Sequence, residues 1–356
     1  MNLDDLAYFK QLDSQDIIAQ ITGLPDQLER AYQSGLRLPL PDYRNIKVVI
    51  VTGMGGSAIG ADLVAAYVSA ECRVPVIVHR DYGLPAFASG PEALVVASSH
   101  SGNTEETLSA FEVGLARGCS LLAISTGGKL AALAEQNRIP AWRFEHNHAP
   151  RTAVGFSFGL LLAALYRLGL IADPQAALDE ALHAMRNVQT NLRPDVPVAH
   201  NPAKRMAGQL MGRWVAVFSA DYMSPVARRW KGQVSELAKA WAQYEYLPES
   251  DHNSLAGTEN PPEVIRNMIA LFIRAPKIEQ RNLKRLALTR NIFMQQGINT
   301  DVIEARGEDR LAHIWTAVLV GDYTTYYLSM GYGVDPTPIT IMDAFKAEMA
   351  QGAGGK

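Results

Sequence analysis

Gly53-Met54-Gly55-Gly56-Ser57-Ala58-Ile59-Gly60 follows the β-branched run Ile46 to Val51 and opens a helix-length segment. Glycines let a backbone approach a ligand closely, and the free amides at a helix start attract an anion. Ser57 adds a hydroxyl donor. The stretch also satisfies a G-x-G-x-x-A pattern, so two ligands fit it equally. One is a phosphate monoester. The other is a dinucleotide pyrophosphate with Asp81 as ribose partner, which would make the chain an oxidoreductase.

Outward from this turn, further strand-like runs at Val74 to Val78, Ala93 to Ala97 and Leu121 to Ile124 alternate with helical patterns. Such alternation predicts an α/β fold, a parallel sheet with helices on both faces. Ligands of these sheets sit beyond the carboxyl ends of the strands, which points to the turns after Val51 and Ala97. A helical region from about Gly155 to Asn191, broken at Ala172-Asp173-Pro174, ends before the proline-containing stretch Arg193 to Pro202. A boundary there gives domains 1–192 and 193–356. Strand-like runs return at Trp214 to Phe218, Ala242 to Leu247, Met268 to Ile273 and Thr300 to Ile303, as in a second copy of the architecture. Its first turn, Ser219 to Ser224, has no glycine, so an anion site is expected only in the first copy. A glycine-rich tail follows Ala350.

The second turn, Ser98-Ser99-His100-Ser101-Gly102-Asn103-Thr104-Glu105-Glu106, separates the two ligands. Three phosphate oxygens want many short donors, and Ser99, Ser101 and Thr104 with Gly56 and Ser57 supply them without lysine or metal. A pyrophosphate has no use for this second loop. Taken singly, Ser101 or Asn103 is equally well read as a helix cap.

Bulk properties narrow the field further. The 356 residues exceed what one hydrophobic core usually supports. A chain that is 48% hydrophobic and 19% charged, with a formal net charge of -3, is neither disordered nor built to coat nucleic acid. Cys72 and Cys119 stand apart without a CxxC partner, which excludes a disulfide framework and a zinc ribbon and fits a reducing cytoplasm. The acidic N-terminus lacks the features of a secretory signal, and Phe156 to Leu170 falls short of the roughly 20 apolar residues a membrane span needs. A buried helix is expected there, and neither membrane nor nucleic acid as partner. His146 and His148 stand two apart, a spacing that projects to one side of a strand, but find no third ligand nearby, so no metal is expected.

Together the two loops resemble the sugar isomerase (SIS) domain signature, in the version of the bifunctional phosphoglucose/phosphomannose isomerases. Pro150-Arg151, Glu236 in a degraded Asn-Glu-Asn-Ala-Lys element, Leu247-Pro248-Glu249, His252-Asn253, Gly321-Asp322, Val334-Asp335-Pro336-Thr337-Pro338 and Phe345-Lys346 correspond in order. The resemblance implies two SIS-type three-layer domains and an aldose–ketose isomerase of glucose-6-phosphate or mannose-6-phosphate that needs no cofactor. It makes Glu236 the base that moves a proton between C1 and C2, and Arg151 the stabiliser of enediolate charge. His252, entering from the adjacent subunit of a homodimer, and Lys346 would open the sugar ring. Several positions depart from the pattern. Ser235 and Leu237 replace the asparagines beside the glutamate, Ser254 replaces a glutamate, His100 replaces a tyrosine, and Thr152-Ala153-Val154 is atypical. A sugar-phosphate sensor that has lost efficient catalysis is the alternative these departures raise.

Overall fold

The computed structural model describes residues 2–352, with side-chain surroundings to residue 349. Residues 353–356 of the glycine-rich tail lie outside the described residues. Three helices, α1 (Leu6–Leu12), α2 (Ile17–Thr22) and α3 (Leu24–Gly35), precede a first alternating series. That series runs β1 (Val48–Thr52), α4 (Gly55–Val68), β2 (Val76–His79), β3 (Ala93–Ser99), α5 (Glu105–Ala116), β4 (Ser120–Ser125), α6 (Gly128–Gln136) and β5 (Ala141–Arg143). Helices α7 (Val154–Arg167), α8 (Gln175–Gln189) and α9 (Pro202–Leu210) lead to a second series. It comprises β6 (Trp214–Ala220), α10 (Ser224–Leu237), β7 (Ala242–Leu247), α11 (Pro262–Arg266), β8 (Met268–Arg274), α12 (Gln280–Gln295) and β9 (Asn299–Glu304). The chain closes with α13 (Arg310–Tyr332) and α14 (Thr340–Gly352).

Every strand pairing is parallel. The first sheet has the order β2-β1-β3-β4-β5 and the second β7-β6-β8-β9, so each reverses direction beside its first strand. Central strands β3 and β4 are buried at every residue, as expected for a sheet covered on both faces. The expected strands all form, with their ends moved by a residue or two, and β5 is an addition. Its three residues are too few to carry a periodicity.

Two expectations about helices are resolved by packing. Helix α7 is buried along most of its length, as its apolar run predicts. The amphipathic pattern of Val226 to Trp241 predicts a helix over those residues, and the structure ends it at Leu237, because Lys239 takes a left-handed φ of 54° that turns the chain into β7. Helix α13 is buried almost throughout, its few polar groups such as Asp322 and His313 being hydrogen-bonded, so it serves as a shared centre against which α8, α9 and α10 pack. The two series thus share one continuous apolar core. Among the described residues no helix is long and apolar enough to cross a membrane.

Candidate functional site

Strands β1 and β3 are neighbours, with Thr52 level with Ala97, so the turns that follow them lie side by side where the strand order reverses. They touch: a Cβ placed on Gly53 would lie 2.7 Å from the Ser98 carbonyl oxygen. Helix α4 begins after the extended residue Met54, and helix α5 after Thr104, and in neither does a side chain cap the first turn. Both sets of amino-terminal N–H groups are therefore left for a ligand.

Ser99 Oγ lies 2.8 Å from Thr104 Oγ1 and accepts the Gly102 amide at 3.1 Å. Ser101, exposed, accepts the Asn103 amide at 3.2 Å. Gly102 makes this turn possible: its φ is +67°, and a Cβ would meet the Gly127 carbonyl oxygen at 1.8 Å. The capping alternative for Ser101 and Asn103 is thereby overturned. The turn at Gly102 sends the Asn103 side chain sideways, where its Oδ1 accepts the Lys129 amide of α6 at 3.1 Å instead of closing α5.

The neighbouring wall is the 3₁₀ turn Pro150–Thr152. It presses against α4, since a Cβ on Gly56 would lie 2.6 Å from the Pro150 carbonyl oxygen and 3.6 Å from the Arg151 Cα. Arg151 is buried, with Nη1 3.7 Å from Glu236 Oε2. Its Nη2 donates to the carbonyl of Pro336 at 2.9 Å and to that of Thr337, while its buried Nε has no partner among the described residues. Burial presses the guanidinium's proton affinity below its usual value, against the pull of Glu236.

Helical spacing on α10 puts Arg229, Gln233 and Glu236 on one face. Arg229 donates to both oxygens of Asp322, at 3.2 and 2.7 Å, and to the Arg151 carbonyl at 2.9 Å. Gln233 adds a bond to Asp322 at 3.0 Å. This buried, hydrogen-bonded ion pair fixes the backbone of Arg151 from the second series. From α3, Gln27 holds the other side of the turn, donating to the Thr152 carbonyl at 2.9 Å and accepting the Gly155 amide at 2.8 Å.

Sequence reasoning did not single out Gln27, Arg229, Gln233 or Lys239. The Lys239 ammonium donates to the Glu236 carbonyl at 2.6 Å and to that of Pro336 at 3.3 Å. Lys239 is exposed as a whole, yet partial desolvation, aided by the charge of Arg151, lowers its pKa to about 8. Its place in the degraded Asn-Glu-Asn-Ala-Lys element was the available signal. Gln27 had none, because a glutamine in an amphipathic helix is ordinarily solvated.

Within one chain His252 and Lys346 make no hydrogen bond or ion pair to Arg151 or Glu236 among the described residues. His252 is exposed in a 3₁₀ turn and Lys346 on α14. His146 and His148 do not lie on a strand, so the one-sided projection that a strand would give them is absent. Strand β5 stops at Arg143, level with the last residue of β4, and residues 144–149 continue as a loop. His146 instead pairs with His100, at 2.9 Å. Among the described residues no group of three His, Cys, Asp or Glu is arranged to hold a metal ion.

Two parallel sheets flanked by helices, each reversing beside its first strand, make an α/β fold of the SIS-domain kind. Residues 199–349 match the family profile of the bacterial phospho-glucose isomerase C-terminal SIS domain. The chain is 34% identical over 333 residues to a bifunctional phosphoglucose/phosphomannose isomerase of Caldicellulosiruptor bescii, covering 93% of this chain and 98% of that protein. A protein of the same description from Aquifex aeolicus is 29% identical over 313 residues, covering 88% and 93%. The fold matches the crystal structure of a hypothetical protein from Thermus thermophilus with a TM-score of 0.75 at 16% identity, covering 96% of this chain and 92% of that one. The chain belongs to the bifunctional phosphoglucose/phosphomannose isomerase family.

Proposed function

We propose that this protein interconverts glucose-6-phosphate, mannose-6-phosphate or both with fructose-6-phosphate through an enediol, without a metal ion. The observation that carries the reading is the contact of Gly56 with the Pro150–Arg151 turn, which joins the anion cradle to the Arg151–Glu236 pair in one wall. A phosphate held by Gly56, Ser57, Ser99, Ser101 and Thr104 leaves the far end of a six-carbon chain directed along that wall. Glu236 takes the C2 proton of the aldose and returns it to C1, while Arg151 faces the oxyanion that develops between them. His252 and Lys346 move the ring-opening proton. His252, exposed on its own chain, is free to enter the site of a second copy, and the active unit is then a homodimer.

Transfer of the C2 proton to solvent deuterium tests the reading, with EDTA-treated protein and each sugar phosphate in turn. Exchange at C2 of either aldose, lost in Glu236→Gln, is the expected outcome. Tight sugar-phosphate binding without exchange would replace the isomerase by the sensor that the departures at Ser235, Leu237 and Ser254 raise. Exchange abolished by EDTA and restored by zinc would remove metal independence.

A further inference from the structure

Between the phosphate loop and the Arg151 turn lies a line of hydrogen bonds that the proposed reaction leaves without a role. His100 sits in sequence between Ser99 and Ser101. Its Nε2 is 2.9 Å from Nδ1 of His146, whose Nε2 is 3.3 Å from Oγ1 of Thr152, the residue after Arg151. The direction of the line is fixed by chemistry. The Thr152 hydroxyl has one proton, and it is directed to the Ala149 carbonyl at 2.8 Å, which can only accept. Toward His146 the hydroxyl is therefore an acceptor, so His146 carries its proton on Nε2 and presents a bare Nδ1. His100 must then donate from Nε2.

The rings are held where they are. Phe144 and Phe156 stack at 4.7 Å, with His100 edge-on to Phe144 at 5.8 Å and His146 edge-on to Phe156 at 5.9 Å. Burial keeps both imidazoles neutral, lowering the pKa of His146 to about 4. Both nitrogens of His146 are engaged, so a rotation of its ring breaks the line at two places.

We propose that His100 and His146 are positioning residues that tie the phosphate loop to the Arg151 turn, so that seating a phosphate and placing the guanidinium are one event. Neither touches the reacting carbons. A shift of the phosphate loop is carried through His100 and His146 to Thr152, whose carbonyl is pinned by Gln27. The kinetic consequence of this tie rests on the isomerase reading, and its geometric part stands without it.

The experiment has two arms. In ¹⁵N-labelled protein at pH 7, long-range imidazole spectra are expected to give both rings as neutral Nε2–H tautomers. Titration with inorganic phosphate is expected to shift the Arg151 Nε–H resonance in wild type but not in His146→Phe. A Nδ1–H tautomer at His146, or an equal shift in the variant, overturns the proposal whether or not the protein is an isomerase. In the kinetic arm, His100→Phe, His146→Phe and Thr152→Val are each expected to lower kcat about tenfold, in line with the cost of a misplaced catalytic group. Inhibition by inorganic phosphate is expected to stay within about twofold of wild type throughout, since every phosphate donor is kept. The His100→Phe/Thr152→Val double variant should lose no more than the worse single one, because both cut the same line. Unchanged kcat, multiplied losses, or phosphate inhibition that weakens in step with kcat would each overturn it. Absence of exchange in wild type removes the isomerase reading and leaves the spectroscopic arm to decide the tie.

Discussion

The carboxyl edges of the two sheets have the same local topology and opposite fates. At the first edge, the turn after β1 leaves the amides of α4 uncovered beside Ser57. At the second, the equivalent turn after β6 is filled by its own side chains: Tyr222 and Met223 are buried. The Tyr222 hydroxyl lies 2.8 Å from His313 Nδ1, and the Arg310 guanidinium stands 4.7 Å over the tyrosine ring. Ser219 donates its hydroxyl to the Ile273 carbonyl at 3.0 Å, and Pro225 removes an amide from the first turn of α10. A parallel sheet with a reversal point therefore offers a place for a ligand, and only small residues in its turns keep that place open. The second edge became a scaffold that presents α10, and through α10 the Glu236 carboxylate, to the first.

The most severe test of this division is Glu236→Gln. Loss of the carboxylate is expected to lower kcat by about 10³-fold or more, within the range for a general acid–base group, while sugar-phosphate affinity measured by calorimetry changes little. Retained proton exchange would return α10 to a purely structural role.

Acid stability separates the edges next, since each buries a histidine. His146, pulled from 6.5 to about 4, stays neutral in the folded chain while the unfolded chain takes up a proton. Its contribution is fully present above pH 6.5 and is lost as the pH falls through about 4, roughly 3 kcal/mol in all. The same sign applies to His313, but the Gly307 carbonyl, 3.0 Å from its Nε2, opposes the effect of burial. Denaturant midpoints followed from pH 7 to pH 4 should accordingly flatten in His146→Phe more than in His313→Phe. Equal flattening would show that the first edge is no more acid-sensitive than the second.

Removing matched hydroxyls is a milder probe. Ser101→Ala is expected to weaken sugar-phosphate binding about tenfold, the worth of one hydrogen bond to a charged group, with kcat nearly preserved. Ser219→Ala, at the filled edge, should leave affinity unchanged and lower only the melting temperature. Weakened binding in Ser219→Ala would reveal a ligand at the second edge.

The smallest effect contrasts glycines at the two helices. A Cβ added to Gly232 in α10 would have nothing within 4 Å, and the residue needs no positive φ, so Gly232→Ala should raise stability by about 0.5–1 kcal/mol. Gly56→Ala in α4 should do the reverse, because its Cβ would press on the Pro150 carbonyl. Thermal unfolding of both variants checks the sign.

Much of this was present in the sequence for a local reason. Strands β1, β3 and β4 declare themselves by short apolar runs, and the turns after Thr52 and Ser99 by glycines and hydroxyls that serve no purpose in a plain connection. Glu236 was legible only through the ordered resemblance, since it does not stand out by pattern from other acids on helices, whereas Arg151 also places a cation after Pro150 at a helix start, against the helix dipole. The structure brings that pair together, while within one chain His252 and Lys346 are bonded to neither of its members among the described residues.

What the chain determines by itself is therefore whatever neighbours in sequence decide: the alternation of strand and helix, the open first turn, the absence of glycine from its counterpart. Gln27, Arg229 and Asp322 around Arg151, the His100–His146 pair and the plug at Tyr222 are decisions of the tertiary structure. Each joins residues from segments far apart in the chain, and the energy of a buried hydrogen bond or ion pair depends on which groups packing brings together, a quantity that no local pattern contains.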